Sequence, residues 1–436
     1  MNDGELMHED LIARLALVRQ RTLDLLNGLE DTDLTWQPHS AWSPVGWHLG
    51  HIAYTEAYWI LTRCAGDTRL AGRFGTCFST TAVPKDHRSA ILPSREAIET
   101  YLRDVRGETC RVLERLRLDD DHPLLRRAAI VHMVIQHEAQ HLENIRIVLY
   151  LRGAQKEAAP VSLVKPPAVP DDRATVHVPG GTFTLGAPNE GSERCYDNER
   201  SAHPVELPDF RIELVPVTNR RFLQFIEAGG YETPALWSEE GRAWLGATKV
   251  RAPQGWERRE GAWIRRGFCA IAPVVPEEPV IGVCAHEADA FARFEGRRLP
   301  SEAQWERAAT WDAAPGRKRL YAWGNEDPDP ARANHDGANE GPTPVGNHPA
   351  GASALGCHDL HGNVWEWTAS LFAPYPGFKP FAYEGYSSPY FDGRHRVLRG
   401  GSWATSPEVL RATFRNWYLP HVREIFAGFR CAVVGE

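Results

Sequence analysis

Apolar residues in the first third of the chain recur at three- and four-residue steps, the period of a helix with one buried face. Leu11, Leu15, Val18, Thr22, Leu25 and Leu29 fall on one such stripe. A second helix is expected after Trp42-Ser43-Pro44, with Ser43 as N-cap and Pro44 in the first turn. It carries WHLGHIAYTEAYWILTR. A third starts near Ser94 and presents Ile98, Leu102, Val105, Thr109 and Leu113. A fourth spans 123–151, with Ile130, Val134, His137, His141 and Val148 along one side. Four long helices predict a four-helix bundle over 1–151. The stretch 65–93 reads as a crossover or lid.

Residues 152–174 are rich in Pro and Ala and lack periodicity, which marks a linker. Beyond it the pattern changes to short β-like runs between Gly, Pro, Asn and Asp turns. These runs are VHVPGGTFTLG, HPVELPDFRIELVPVT, HRVLRGGSWAT and GFRCAVV. Two helices are expected among them, over 219–228 and from Ser301. Residues 175–436 therefore read as an α+β domain with much irregular structure and no internal repeat.

Composition narrows the function classes. The 436 residues include 49 basic and 57 acidic side chains, a net charge of −8. No Lys/Arg run stands out, which argues against a nucleic-acid partner. No apolar run reaches membrane-spanning length, and the first residues, MNDGELMHED, are unlike a signal peptide. These features point to a cytoplasmic or equivalent reducing compartment and to no membrane partner. The eight cysteines are scattered without a C-x-x-C pair, so mostly free thiols are expected. Fifteen Trp, most of them in the second half, supply core and possible faces for a cationic ligand.

His137 and His141 are spaced i, i+4 and leave one face of a helix. His51 lies on a second expected helix, preceded by His48. Three neutral imidazoles from facing helices hold an ion and leave positions open, as catalytic sites do. A three-His version of the facial arrangement used by oxygen-activating iron follows. His48 and His132 read as core histidines. HEAQH also matches the zinc-protease pattern H-E-x-x-H, with Glu138 as general base. Its extended form is absent, since Asn144 and Ile147 stand where Gly and His belong.

WHLGH, together with His137, His141 and Glu143 in H-x-x-x-H-x-E, resembles a DinB-type bundle. VPGGTFTLG, VPVTNRRFLQFI, GRRLPSEAQWERAA, LHGNVWEWTAS, RVLRGGSW and GFRCA resemble the formylglycine-generating-enzyme fold, a relative of C-type lectins. The combination is similar to the ergothioneine-pathway sulfoxide synthases and their selenoneine-synthase relatives. That resemblance implies an enzyme using Fe(II) and O2 to bond sulfur or selenium to the imidazole C2 of hercynine, the trimethylated betaine of histidine. It implies His51, His137 and His141 as iron ligands. It also implies Gln140, Asn416 and Trp417 as hercynine contacts, and a quaternary ammonium suits an aromatic face.

The chain departs from the resemblance where the chalcogen donor is held. Members that use γ-glutamylcysteine carry an R-x-x-R pair in the crossover and an Asp after Asn-Trp. Here the corresponding positions are Lys85, Arg88 and Tyr418. A Lys lacks the bidentate grip of Arg on a carboxylate. A donor with hydroxyls instead of amino-acid charges, such as a selenosugar, is expected, with cysteine next. The resemblance also implies a Tyr acting in the oxygen step, for which Tyr375 and Tyr383 are candidates and Phe378 a possible lost position. Rival readings are a zinc hydrolase, a formylglycine-generating enzyme and a non-catalytic binding module. The second lacks its cysteine pair, because Phe426 stands five residues before Cys431.

Overall fold

The computed structural model describes residues 3–118, 122–153, 171–191, 194–267, 271–312 and 318–434. The chain forms two compact units, Met1–Arg152 and Gly153–Glu436. Most of the expected linker, 154–170, lies outside the described residues, as does Cys269. The other seven cysteines are free. No helix among the described residues is long and apolar enough to cross a membrane.

The first unit contains α1 (Asp3–Asp24), α2 (Asp31–Thr35), α3 (Val45–Glu56), α4 (Arg69–Phe78), α5 (Arg95–Leu113) and α6 (Ala129–Arg152). Helices α1, α3, α5 and α6 form the expected bundle. The predicted stripes are its core: Leu11, Leu15, Val18 and Thr22 on α1, and Ile98, Leu102, Val105, Thr109 and Leu113 on α5, are all buried. Ser94 caps α5 by accepting from the Ala97 amide.

Three local expectations are corrected. Helix α1 ends at Asp24, so Leu25 and Leu29 lie past it. Pro44, not Ser43, is the N-cap of α3, and the Ser43 hydroxyl instead accepts from Arg88 at 2.7 Å. Helix α6 begins at Ala129, after a single 3-10 turn, Arg126–Ala128. The expected crossover, 65–93, has structure of its own. It contains α4, whose apolar side packs Ala71 and Phe78 inward, and this amphipathic decamer is too short to stand out in sequence. Helix α3 also continues as a π-helix, Ala57–Cys64, a form concentrated near functional sites.

A buried ionic network ties the bundle together, with one residue from each main helix. Arg19 donates to Glu56 at 2.9 Å and to Glu138 at 2.7 Å. Arg106 donates to Glu56 at 2.8 Å and to Glu138 at 2.7 Å. Two charges of each sign satisfy one another away from water, which makes burial tolerable.

The second unit is α+β, as expected. Strands Thr175–Val178, Phe210–Glu213, Ala432–Val433 and Arg297–Arg298 form one antiparallel sheet in that order. Asn416–Tyr418, Arg396–Arg399, Trp365–Leu371 and Ala427–Gly428 form a second, its last pair parallel. A hairpin pairs Gly181–Leu185 with His203–Leu207. The predicted helices are α7 (Asn219–Glu227), capped by Thr218, and one capped by Ser301. Between them in sequence lie two unforeseen helices, α8 (Glu239–Thr248) and α9 (Ala285–Phe294), so the Ser301-capped helix is α10 (Glu302–Thr310). A three-stranded sheet of Trp256–Arg259, Ala262–Arg266 and Ile271–Pro273 was also unforeseen, because its strands are short and do not alternate apolar with polar residues.

Little regular structure spans this unit, so buried ion pairs pin its loops. Arg430 pairs with Glu366 at 2.6 Å, Arg415 and Arg399 each reach Glu302 at 2.7 Å, and Arg221 reaches Glu213 at 2.7 Å. Trp305 donates to Glu366 at 2.9 Å. The segments GRRLPSEAQWERAA, LHGNVWEWTAS, RVLRGGSW and GFRCA are thus a mutual scaffold.

Candidate metal centre

Helix α3 delivers His51 and helix α6 delivers His137 and His141 to one place. Their ligand nitrogens lie within 4.8 Å of one another. The i, i+4 spacing brings Nε2 of His137 and Nε2 of His141 to 3.1 Å. The His51 ring centroid is 5.0 Å from each of the other two.

The ring of His51 is fixed by its surroundings. Its Nδ1 donates to the Phe78 carbonyl at 2.7 Å, which leaves Nε2 with a free lone pair. Phe78 is the last residue of α4, so the crossover orients a ligand. Gly50 makes this possible, because a Cβ there would meet the Phe78 ring at 2.1 Å. Trp47 stacks on His51 with centroids 4.5 Å apart and rings 13° from parallel. Its indole N–H donates to the Cys77 carbonyl at 3.1 Å. Sequence reading assigned no role to Trp47, Gly50 or Phe78, although W-H-L-G-H held two of them.

Electrostatics favour neutral imidazoles. Burial pushes His51 down to about 4, against the raising effect of its bond to the Phe78 carbonyl. Burial, reinforced by the neighbouring histidines, holds His137 and His141 well below the ordinary range. Neutral nitrogen is the form that binds metal, so three converging, uncharged imidazoles fit a divalent ion. The structure assigns no particular metal. The donor set leaves room in the coordination shell for further ligands, as a catalytic centre needs.

Glu138 does not serve this centre. Both of its oxygens are consumed by Arg19, Arg106 and Thr22. Burial alone would raise its pKa, but the two guanidiniums outweigh that and hold it near 2. A carboxylate so committed is a poor general base, which removes the physical basis of the hydrolase reading.

The remaining candidates are placed as follows. Gln140 is half-buried, one turn from His137, and its amide nitrogen donates to the Gln136 carbonyl at 3.3 Å. Arg88 is only 4% exposed. Its guanidinium lies 3.6 Å from the Trp47 ring centroid and donates to Ser43 and to the Val83 carbonyl. Lys85 is exposed and donates to the Ala41 carbonyl at 3.2 Å.

In the second unit, Asn416, Trp417 and Tyr418 form an edge strand and are half-buried. Trp417 stacks on Phe372 at 4.2 Å, with Tyr386 and Tyr390 at 5.3 and 5.5 Å. The Asn416 side-chain oxygen accepts from the Trp417 amide. Tyr375 is buried with Phe183 and Leu185, and the Arg415 guanidinium lies 4.1 Å from its ring centroid. Tyr383 is 39% exposed. Phe378 packs edge-on against Phe391.

Comparison with known proteins covers both units. The sulfatase-modifying factor enzyme 1-like domain matches residues 160–434, and the DinB superfamily matches residues 14–145. The chain is 40% identical to a protein named hercynine oxygenase from Mycobacterium tuberculosis, over 97% of this chain and 98% of the relative. It is also 40% identical to the hercynine oxygenase of Mycolicibacterium smegmatis, with the same shares covered. Among solved structures, PvdO from Pseudomonas aeruginosa is 26% identical, with a TM-score of 0.40, covering 62% of this chain and 98% of that one.

Proposed function

The chain belongs to the hercynine oxygenase family, and we propose that it uses Fe(II) and O2 to join selenium or sulfur to the imidazole C2 of hercynine. The observation that carries this reading is the convergence of His51, His137 and His141 as neutral imidazoles. Such a centre would supply redox chemistry and gather reactants on one ion. The overall balance has hercynine lose its C2–H and the donor its Se–H or S–H. Dioxygen takes up both hydrogens as one water and leaves one oxygen on the new chalcogen link.

The protein's own side chains are assigned to binding. Trp417, inside its aromatic group, receives the trimethylammonium by a cation–π contact, which needs no N–H donor. Gln140 and Asn416 add amide dipoles. Tyr375 and Tyr383 are the candidates for proton or electron delivery in the oxygen step. The burial of the Tyr375 ring beside Arg415 favours Tyr383 as the residue able to reach substrate.

The donor is proposed to be a selenosugar, which makes the activity that of a selenoneine synthase. Support comes from the residues expected to grip an amino-acid donor. Arg88 is already committed to Trp47, Ser43 and Val83, Lys85 is a single ammonium, and Tyr418 carries no charge to meet a substrate ammonium. A sulfur donor, cysteine or γ-glutamylcysteine, is the second reading, favoured by the 40% identity to hercynine oxygenases. Fe(II)-loaded protein should be given hercynine, O2 and an equimolar mixture of a selenosugar, cysteine and γ-glutamylcysteine. Mass spectrometry is expected to find the selenium adduct in excess. A dominant sulfur adduct would transfer the assignment to the second reading. No O2 uptake with any donor would sink both.

A further inference from the structure

His48 precedes His51 by one helical turn on α3 and is buried in the bundle. Its Nδ1 lies 2.8 Å from Nδ1 of His141. Its other nitrogen, Nε2, is buried as well, and the Ser43 backbone carbonyl is a hydrogen-bonding neighbour of the ring. We infer that His48 is the positioning residue of His141, accepting its Nδ1–H and so directing Nε2 of His141 at the metal. The inference rests on the metal reading proposed above.

Two neutral imidazole nitrogens at this separation share one proton. If His48 holds it, His141 carries its own proton on Nε2, the atom 3.1 Å from His137, and cannot ligate. If His141 holds it on Nδ1, Nε2 is free for the ion. Ligation therefore selects the second arrangement, in which His48 is the acceptor and its remaining proton sits on Nε2.

The two outer partners then differ in kind. The Phe78 carbonyl can only accept, so it fixes the tautomer of His51 permanently. His48 can donate or accept. Without metal, the His48–His141 and His141–His137 hydrogen bonds, at 2.8 and 3.1 Å, can run in either direction. In the arrangement that ligation selects, the remaining N–H of His48 has the Ser43 backbone carbonyl as its neighbour. His48 thus holds His141 in either state, whereas the Phe78 carbonyl holds His51 in one.

The test uses the full-length protein with Co(II) as probe. His48→Leu removes the acceptor. His48→Asn keeps an amide oxygen near the position of Nδ1. His48→Leu is expected to bind Co(II) about 10–100-fold more weakly by chelator competition, the usual loss for an outer-shell partner, with an altered visible absorption spectrum. His48→Asn should keep the wild-type spectrum and bind within about threefold of wild type on the same scale. If His48→Leu does not fold, judged by thermal unfolding of the metal-free protein, His48→Gln replaces it. Its amide lies too far out to serve the Nδ1 position.

Wild-type affinity and spectrum in the Leu or Gln variant would overturn the inference, as would equal weakening in the Asn variant. Wild-type protein that bound no Co(II) would instead overturn the metal reading, and this inference with it.

Discussion

Successive residues of α6, His137 and Glu138, belong to two buried polar clusters of opposite character. Glu138 sits among Arg19, Arg106, Glu56 and Thr22, where charges of both signs cancel and its carboxylate oxygens are occupied. His137 sits among His51 and His141, where burial and the neighbouring imidazoles hold the rings neutral. The first arrangement is complete without a ligand. The second invites a cation. One step along the helix therefore separates a structural use of buried polarity from a functional one, although both contribute to HEAQH.

Replacing a member of each cluster should separate the two roles most clearly. His137→Ala is expected to lower metal affinity by more than about 100-fold, beyond the usual cost of losing an outer partner. It should abolish O2 uptake while the protein stays folded, as metal analysis and circular dichroism would report. Glu138→Gln should do the reverse. It leaves two buried guanidiniums short of a partner, at a cost of about 3–5 kcal/mol in denaturant unfolding. Folded variant should retain its metal. Lost turnover at unchanged stability would restore Glu138 as a base.

The pH dependence of the metal-free protein sharpens the same contrast. Burial lowers His51 to about 4 and His48 to about 3, so the unfolded chain takes up their protons first. Stability from this cluster is fully present above the unfolded value of about 6.5 and is lost as pH falls toward 4 and 3. Glu138 is also lowered, from 4.5 to about 2, so its stability is present above 4.5 and is lost as pH falls through 2. Urea midpoints should decline in two windows. Metal should oppose the upper one, and a flat profile between pH 6.5 and 5 would contradict the assignment of the histidines.

Smaller effects test the supports. Gly50→Ala drives a methyl into the Phe78 ring and should cost about 1–3 kcal/mol, loosening His51 as well. Lys85→Ala should change stability by no more than about 0.5 kcal/mol, since the residue is exposed. Its effect, if the donor assignment holds, is confined to the KM for the donor.

Much of the bundle was legible because helix period and burial coincide there, as at Ile98, Leu102, Val105, Thr109 and Leu113. The i, i+4 histidines were legible for the same reason. Ser43 was misassigned because its hydroxyl serves Arg88, forty-five residues away in sequence, rather than the nearest helix end. Helices α8 and α9 and the three-stranded sheet were missed because each element is short, ten residues or fewer, and carries too few periods to stand out from irregular chain.

The sequence by itself determined the two-part organisation, the helices that bear the histidines and the family to which the chain is similar. These depend on local periodicity and on contiguous motifs. Tertiary structure decided what each polar side chain does. Glu138 became structural because Arg19 and Arg106 arrive from other helices, and His51 became a fixed donor of Nε2 because Phe78 ends α4 beside it. His48 became a partner of His141 rather than an ordinary core histidine. In each case the deciding neighbour is remote in sequence, and hydrogen-bond geometry at about 3 Å cannot be read from spacing along the chain.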